Sequence, residues 1–170
     1  VVVVPGVVGA VAPIPVLAAG GIGNGRQVAA ALALGAQGVW MGSAWLTTEE
    51  AEAHPVVKEK FLRASSSDTI RSRSLTGKPA RMLRSAWTEA WEDPSNPRPL
   101  PMPLQPRLVR EAQTRIARAA HKSAGAAELS NYFVGQIVGS LKHVKSVRSV
   151  MEELVQEYAD TMERLDDWAK

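Results

Sequence analysis

The chain has no cysteine among its 170 residues, which excludes a disulfide framework and any thiolate metal site. Aromatic residues are few, with two Tyr, two Phe and five Trp, and they do not alternate with basic residues as a base-stacking surface would require. A formal charge of +3 is close to balance, so neither composition nor charge points to a nucleic-acid partner. What charge there is lies unevenly. Six basic residues (Arg63, Arg71, Arg73, Lys78, Arg81 and Arg84) fall between Phe61 and Arg84 against Asp68 alone, and seven acids follow Met151. Uncharged sequence runs only through the first 25 residues, where Pro5, Pro13, Pro15 and six glycines interrupt it. A membrane span needs about 20 apolar residues without such breaks, so no membrane is expected.

What is present begins with Pro15-Val-Leu-Ala-Ala-Gly-Gly-Ile-Gly-Asn-Gly-Arg26 and its echo Gly38-Val-Trp-Met-Gly-Ser43. Each is a short apolar run that stops at glycine, and between them Gly25 to Leu34 reads as a short alanine-rich helix capped by Asn24 and ended by Gly35. Strand, glycine turn, helix, strand, glycine turn is the sequence form of a parallel β-α-β unit. Its glycine turns fall at the same end of both strands, roughly twenty residues apart, where a phosphate can approach the backbone and the next helix offers free N–H groups.

The rest reads as mainly helical. Residues 1 to 12 look like a helix closed by Pro13 and Pro15, and Thr47 with Glu50 has capping-box spacing for a helix running, with a restart at His54-Pro55, to Ala64. Residues 69 to 80 read as extended or irregular, and Arg81 to Trp91 as helix with Trp87 and Trp91 on one face. Six prolines between Pro94 and Pro106 exclude helix there and suggest a rigid connection. Arg107 to Lys122 is helical, and Tyr132 to Gly139 is an apolar segment suited to a core or ligand. In the last helix Val147, Met151, Leu154, Tyr158, Met162 and Leu165 recur at steps of four and three, the pattern of one buried face, with Ser146 or Ser149 as its cap.

Rival chemistries fail on particular residues. Gly20-x₄-Gly25 is followed by Arg26-Gln27, where a Walker loop needs lysine and a hydroxyl. The second strand ends in Met-Gly-Ser and lacks the acid of a dinucleotide fingerprint. His54, His121 and His143 are far apart in sequence and read as solvated or core histidines, with no metal site. Ser43 lacks the Gly-x-Ser-x-Gly elbow of a nucleophile, and no catalytic residue is visible.

The two glycine blocks, with Ser67-Asp-Thr-Ile-Arg71, Thr76-Gly-Lys-Pro-Ala-Arg81, Trp87-Thr-Glu-Ala-Trp91 and Gly135-Gln136, resemble the nitronate monooxygenases, formerly called 2-nitropropane dioxygenases. The resemblance covers nearly the whole chain. It implies an α/β fold: the C-terminal portion, strands 7 and 8, of an FMN-binding (β/α)₈ TIM barrel with an inserted helical domain. Residues 1–46 would carry those strands, 47–128 the helical domain with the Pro-rich linker 94–106, and 129–170 the helices packing back. The implied cofactor is FMN, with Ala19, Gly20, Gly21, Gly42 and Ser43 at its phosphate, Met41 beside the flavin, and Gln136 and Tyr132 lining the cavity. The implied reaction oxidises an alkyl nitronate with molecular oxygen to a carbonyl compound and nitrite in a cytoplasmic enzyme, a homodimer being one assembly it allows.

The related FMN-dependent enoyl-acyl-carrier-protein reductases share the glycine strands and a Gly-Gln segment, and a non-catalytic helical interaction fragment is a third reading. The family's Gly-Gly-His motif on the preceding strand is not in these residues. The chain is therefore expected to be a C-terminal part, binding FMN poorly or not at all by itself.

Overall fold

Glycine and proline divide the first fifty residues into short elements. In the computed structural model, which describes residues 2–170, helix α1 spans Val3–Val11 with Pro5 in its first turn. A proline is tolerated there because its missing N–H would have no partner within the helix. Strand β1 (Leu17–Ala19) leads into helix α2 (Gly25–Ala33), and strand β2 (Gly38–Trp40) follows. The strands pair in parallel with Leu17 opposite Gly38 and Ala19 opposite Trp40, so the β-α-β unit forms as its punctuation indicates. Small residues make it tight: Ala18, Ala31 and Ala36 are buried together, with Val4, Ile22 and Val39 packed against them.

The chain divides into two compact units. The first runs to Ala51 and resumes at Val144–Lys170. It ends in the longest helix of the described residues, α7 (Val147–Ala169), which packs along α2. Ser146 caps α7 by accepting the Ser149 N–H at 3.1 Å, and Glu50 accepts the Val147 N–H at 2.9 Å. No helix of the described residues is long and apolar enough to cross a membrane.

The second unit, Glu52–His143, holds helix α3 (Pro55–Arg63), the antiparallel hairpin β3 (Thr69–Ser72) and β4 (Ala80–Leu83), and helices α4 (Ala86–Glu92), α5 (Leu104–Ala119) and α6 (Ala124–Leu129). Phe61, Met82 and Val138 are fully buried in it. So is Gln105, whose amide is satisfied at both ends: it donates to the Ser74 carbonyl at 2.8 Å and accepts the Leu100 N–H at 2.9 Å. That pair of bonds anchors the proline-rich segment, whose prolines have no N–H to donate. Trp87 and Trp91 do share a face, with ring centroids 5.9 Å apart.

Four local expectations change. Thr47 and Glu50 open no helix, because Glu50 caps the distant α7 and the helix begins only at Pro55, where His54 accepts the Val56 N–H through Nδ1. Residues 81–83 are strand, drawn into the ladder by pairing with 69–71, and helix α4 starts after Ser85, which forms a capping box with Thr88. Helix α5 includes Pro106, which is harmless in a first turn. Along α7 only Leu154 and Thr161 are buried, while Met151, Met162 and Leu165 are at least 40% exposed. The apolar stripe is real, but most of it is uncovered.

Candidate functional site

The ends of β1 and β2 lie side by side, and the chain leaves both through glycine. Gly20 and Gly21 have φ of 94° and 73°, backbone conformations that L side chains rarely adopt. A Cβ at Gly20, Gly21 or Gly42 would have no heavy atom within 4 Å, so backbone faces open space at all three positions. Ala19, the last residue of β1, is paired with Trp40 and so belongs to the ladder more than to the turn.

The second turn is held from below. The Trp45 indole N–H donates to the Met41 carbonyl at 2.9 Å, and the Trp45 and Leu46 N–H groups bond back to Gly42 and Ser43. Ser43–Trp45 thereby forms a single 3₁₀ turn. Met41 is half-buried and lines an apolar cavity of about 660 Å³ with Val28, Leu32, Trp40, Trp45 and Tyr158.

The start of α2 differs from the expectation of free donors. Gln27 donates its N–H to Asn24 at 2.9 Å, Gly23 donates to the Gln27 side chain at 2.8 Å, and Gly25 donates to Glu157 of α7 at 2.8 Å. These N–H groups are already committed to the protein. Glu157 could not have been found from the local sequence, since it lies 132 residues away.

The remaining sequence-predicted residues belong to the second unit. Gln136 opens a 3₁₀ turn, Gln136–Ser140, and is exposed, as is Tyr132. His54 and His121, distant in sequence, come to 6.5 Å between ring centroids. Among the described residues, however, no group of His, Asp and Glu is arranged to hold a metal ion. Arg71, Arg73 and Arg98 line a separate cavity of about 480 Å³ with Trp91, Glu92 and Asp93.

Comparison with known proteins gives the family. A family model described as nitronate monooxygenase matches residues 1–157. The chain belongs to the nitronate monooxygenase family. Rv1533 of Mycobacterium tuberculosis, named for a monooxygenase activity, is 66% identical over 165 residues, which is 96% of this chain and 44% of that protein. A Bacillus subtilis protein under the name "Probable nitronate monooxygenase" is 37% identical over 85% of this chain and 40% of its own length. The chain thus spans less than half the length of these two relatives. Among solved structures, a nitroalkane oxidase from Streptomyces ansochromogenes superposes with a TM-score of 0.81 at 30% identity, covering 96% of this chain and 44% of that one. FabK from Thermotoga maritima gives 0.75 at 33% identity over 98% of this chain and 51% of its own.

Proposed function

We propose that this chain carries the flavin-phosphate half of an FMN-dependent site that oxidises alkyl nitronates with molecular oxygen, releasing a carbonyl compound and nitrite. One observation carries the reading: in a nitronate monooxygenase family member, two glycine turns open side by side at the same end of paired parallel strands. In this reading β1 and β2 are strands 7 and 8 of a (β/α)₈ barrel, the place where barrels of that type hold phosphate. The unit Glu52–His143 is its inserted helical domain.

The glycine turns fit a phosphate group. Backbone without side chains, with φ of 94° and 73° and open space above it, allows an anion to approach main-chain donors closely. Gly20 and Gly21 from one turn, and Gly42 and Ser43 from the other, would hold the FMN phosphate, while Ala19 and Met41 fix the strand ends beneath. When bound, the flavin supplies the one-electron and oxygen chemistry. The residues here bind and orient it, and none of them is assigned a proton transfer.

Enoyl reduction by NAD(P)H is the second reading, kept because the glycine strands and the Gly135-Gln136 segment resemble those of the enoyl-acyl-carrier-protein reductases as well. One experiment separates the two in the complete protein that carries this chain. Ethyl nitronate in air should drive oxygen uptake with release of nitrite, and anaerobic NAD(P)H should bleach the flavin slowly or not at all. Rapid bleaching by NAD(P)H without nitronate-dependent nitrite release would replace nitronate oxidation with enoyl reduction.

A further inference from the structure

The turn that meets the phosphate has little of its own to hold it. Gly20 and Gly21 have no side chains; Ile22 after them packs against the alanine core, and the chain is next held by hydrogen bonds at the start of α2. That point is fixed by α7. Gly25 is buried, and a Cβ there would collide with the backbone of Leu154 and Tyr158 and lie 2.6 Å from the Glu157 Cβ. The two helices therefore touch backbone to backbone at the first residue of α2. At the same point the Glu157 carboxylate accepts the Gly25 N–H at 2.8 Å.

A carboxylate at a helix N-terminus is favourable, because it satisfies an orphan donor and opposes the positive end of the helix dipole. Glu157 acts here as an N-cap supplied from a distant helix, alongside the local cap from Asn24. Its own backbone is held one turn later, where the buried Thr161 hydroxyl donates to the Glu157 carbonyl at 2.6 Å. The side chain thus projects from a fixed stretch of helix onto a fixed residue of the turn.

We propose that Glu157 is a positioning residue for the flavin-phosphate turn: it holds the Gly23–Gly25 end in place, so that Gly20 and Gly21 present their backbone to the phosphate in one geometry. The inference rests on the FMN reading above. A loss of Glu157 leaves the buried Gly25 N–H without its partner and releases the turn, while the flavin ring is held elsewhere.

Dissociation constants for FMN and for riboflavin, which lacks the phosphate, test this in the complete protein that carries the chain. Wild type should prefer FMN. Glu157→Ala should lose about tenfold in FMN affinity, the size of one charge-assisted hydrogen bond, with riboflavin affinity unchanged. Glu157→Asp, which keeps the charge but shortens the reach, should lose FMN affinity in the same selective way. Glu157→Gln, whose amide oxygen still accepts the N–H, should restore most of it. Tighter FMN binding by Glu157→Ala, or an equal loss for both flavins, would overturn the positioning role. Equal wild-type affinities for the two flavins would instead overturn the phosphate cradle itself.

Discussion

Arg71 stands directly opposite Arg81 in the β3–β4 ladder, two like charges in register, with Arg71 exposed and Arg81 half-buried. Arg81 turns part of its guanidinium to the Thr69 hydroxyl at 3.0 Å, while Arg71 lines the cavity beside Arg73 and Arg98. Like charges directly across a strand pair are destabilising. Arg71→Thr should therefore raise stability by about 0.2–1 kcal/mol, the range of a cross-strand pair, measured by urea unfolding at low salt. The gain should shrink in 1 M salt, where screening is nearly complete at that separation.

The buried Gly25 gives a steric prediction. Gly25→Ala places a methyl group against the α7 backbone, which cannot move aside as a side-chain tip would. Stability should fall by about 1–3 kcal/mol, the usual cost of overpacking, and hydrogen exchange along α7 should accelerate. Unchanged exchange in α7 would mean that the two helices do not depend on this contact.

Lys60 predicts the alkaline limb of the stability profile. Its ammonium donates to the carbonyls of Ser130 at 2.7 Å and Glu128 at 3.0 Å, and burial lowers its pKa below the ordinary 10.5 despite the Glu128 charge nearby. Between the lowered value and 10.5 the unfolded chain holds more protons than the folded one, so stability rises with pH in that window. The difference in unfolding free energy between wild type and Lys60→Met should therefore move in favour of wild type as pH rises through it. A difference that stays constant would contradict the burial effect.

Asp68 predicts the opposite limb. The Ser65 backbone N–H at 2.7 Å and the Ser65 hydroxyl hold its carboxylate below the ordinary 3.8. The stabilisation is fully present above 3.8 and is lost as pH falls through the lowered value. Asp68→Asn should be less stable than wild type near neutrality and equal to it in strong acid. A gap that persists in acid would place the effect elsewhere.

The β-α-β unit was legible because its determinants are local: glycines at both strand ends, Asn24 as a cap, and alanines small enough to bury. The hairpin was only half legible. Residues 81–83 carry no local mark of strand, and their conformation comes from pairing with 69–71. The Ser85–Thr88 box shows where the helix after them begins. Glu50 misled in a related way, because a residue spaced to cap its own helix caps another nearly a hundred residues on. Periodicity along α7 identified an apolar face but not what covers it. At the site, the two glycine turns were visible in the sequence, whereas the carboxylate of Glu157 at the start of α2 depends on how α7 packs. The expectation of free helix donors failed for that reason.

The phosphate cradle is tested most directly at Gly42, where φ is −117° and a Cβ meets no atom within 4 Å. In the complete protein that carries this chain, Gly42→Val should leave stability within about 0.5 kcal/mol of wild type, as for an unencumbered surface position. FMN affinity should nevertheless fall by about tenfold or more, as expected when one good contact to the phosphate is blocked. Full FMN affinity in a stably folded Gly42→Val protein would show that no phosphate sits between these strands.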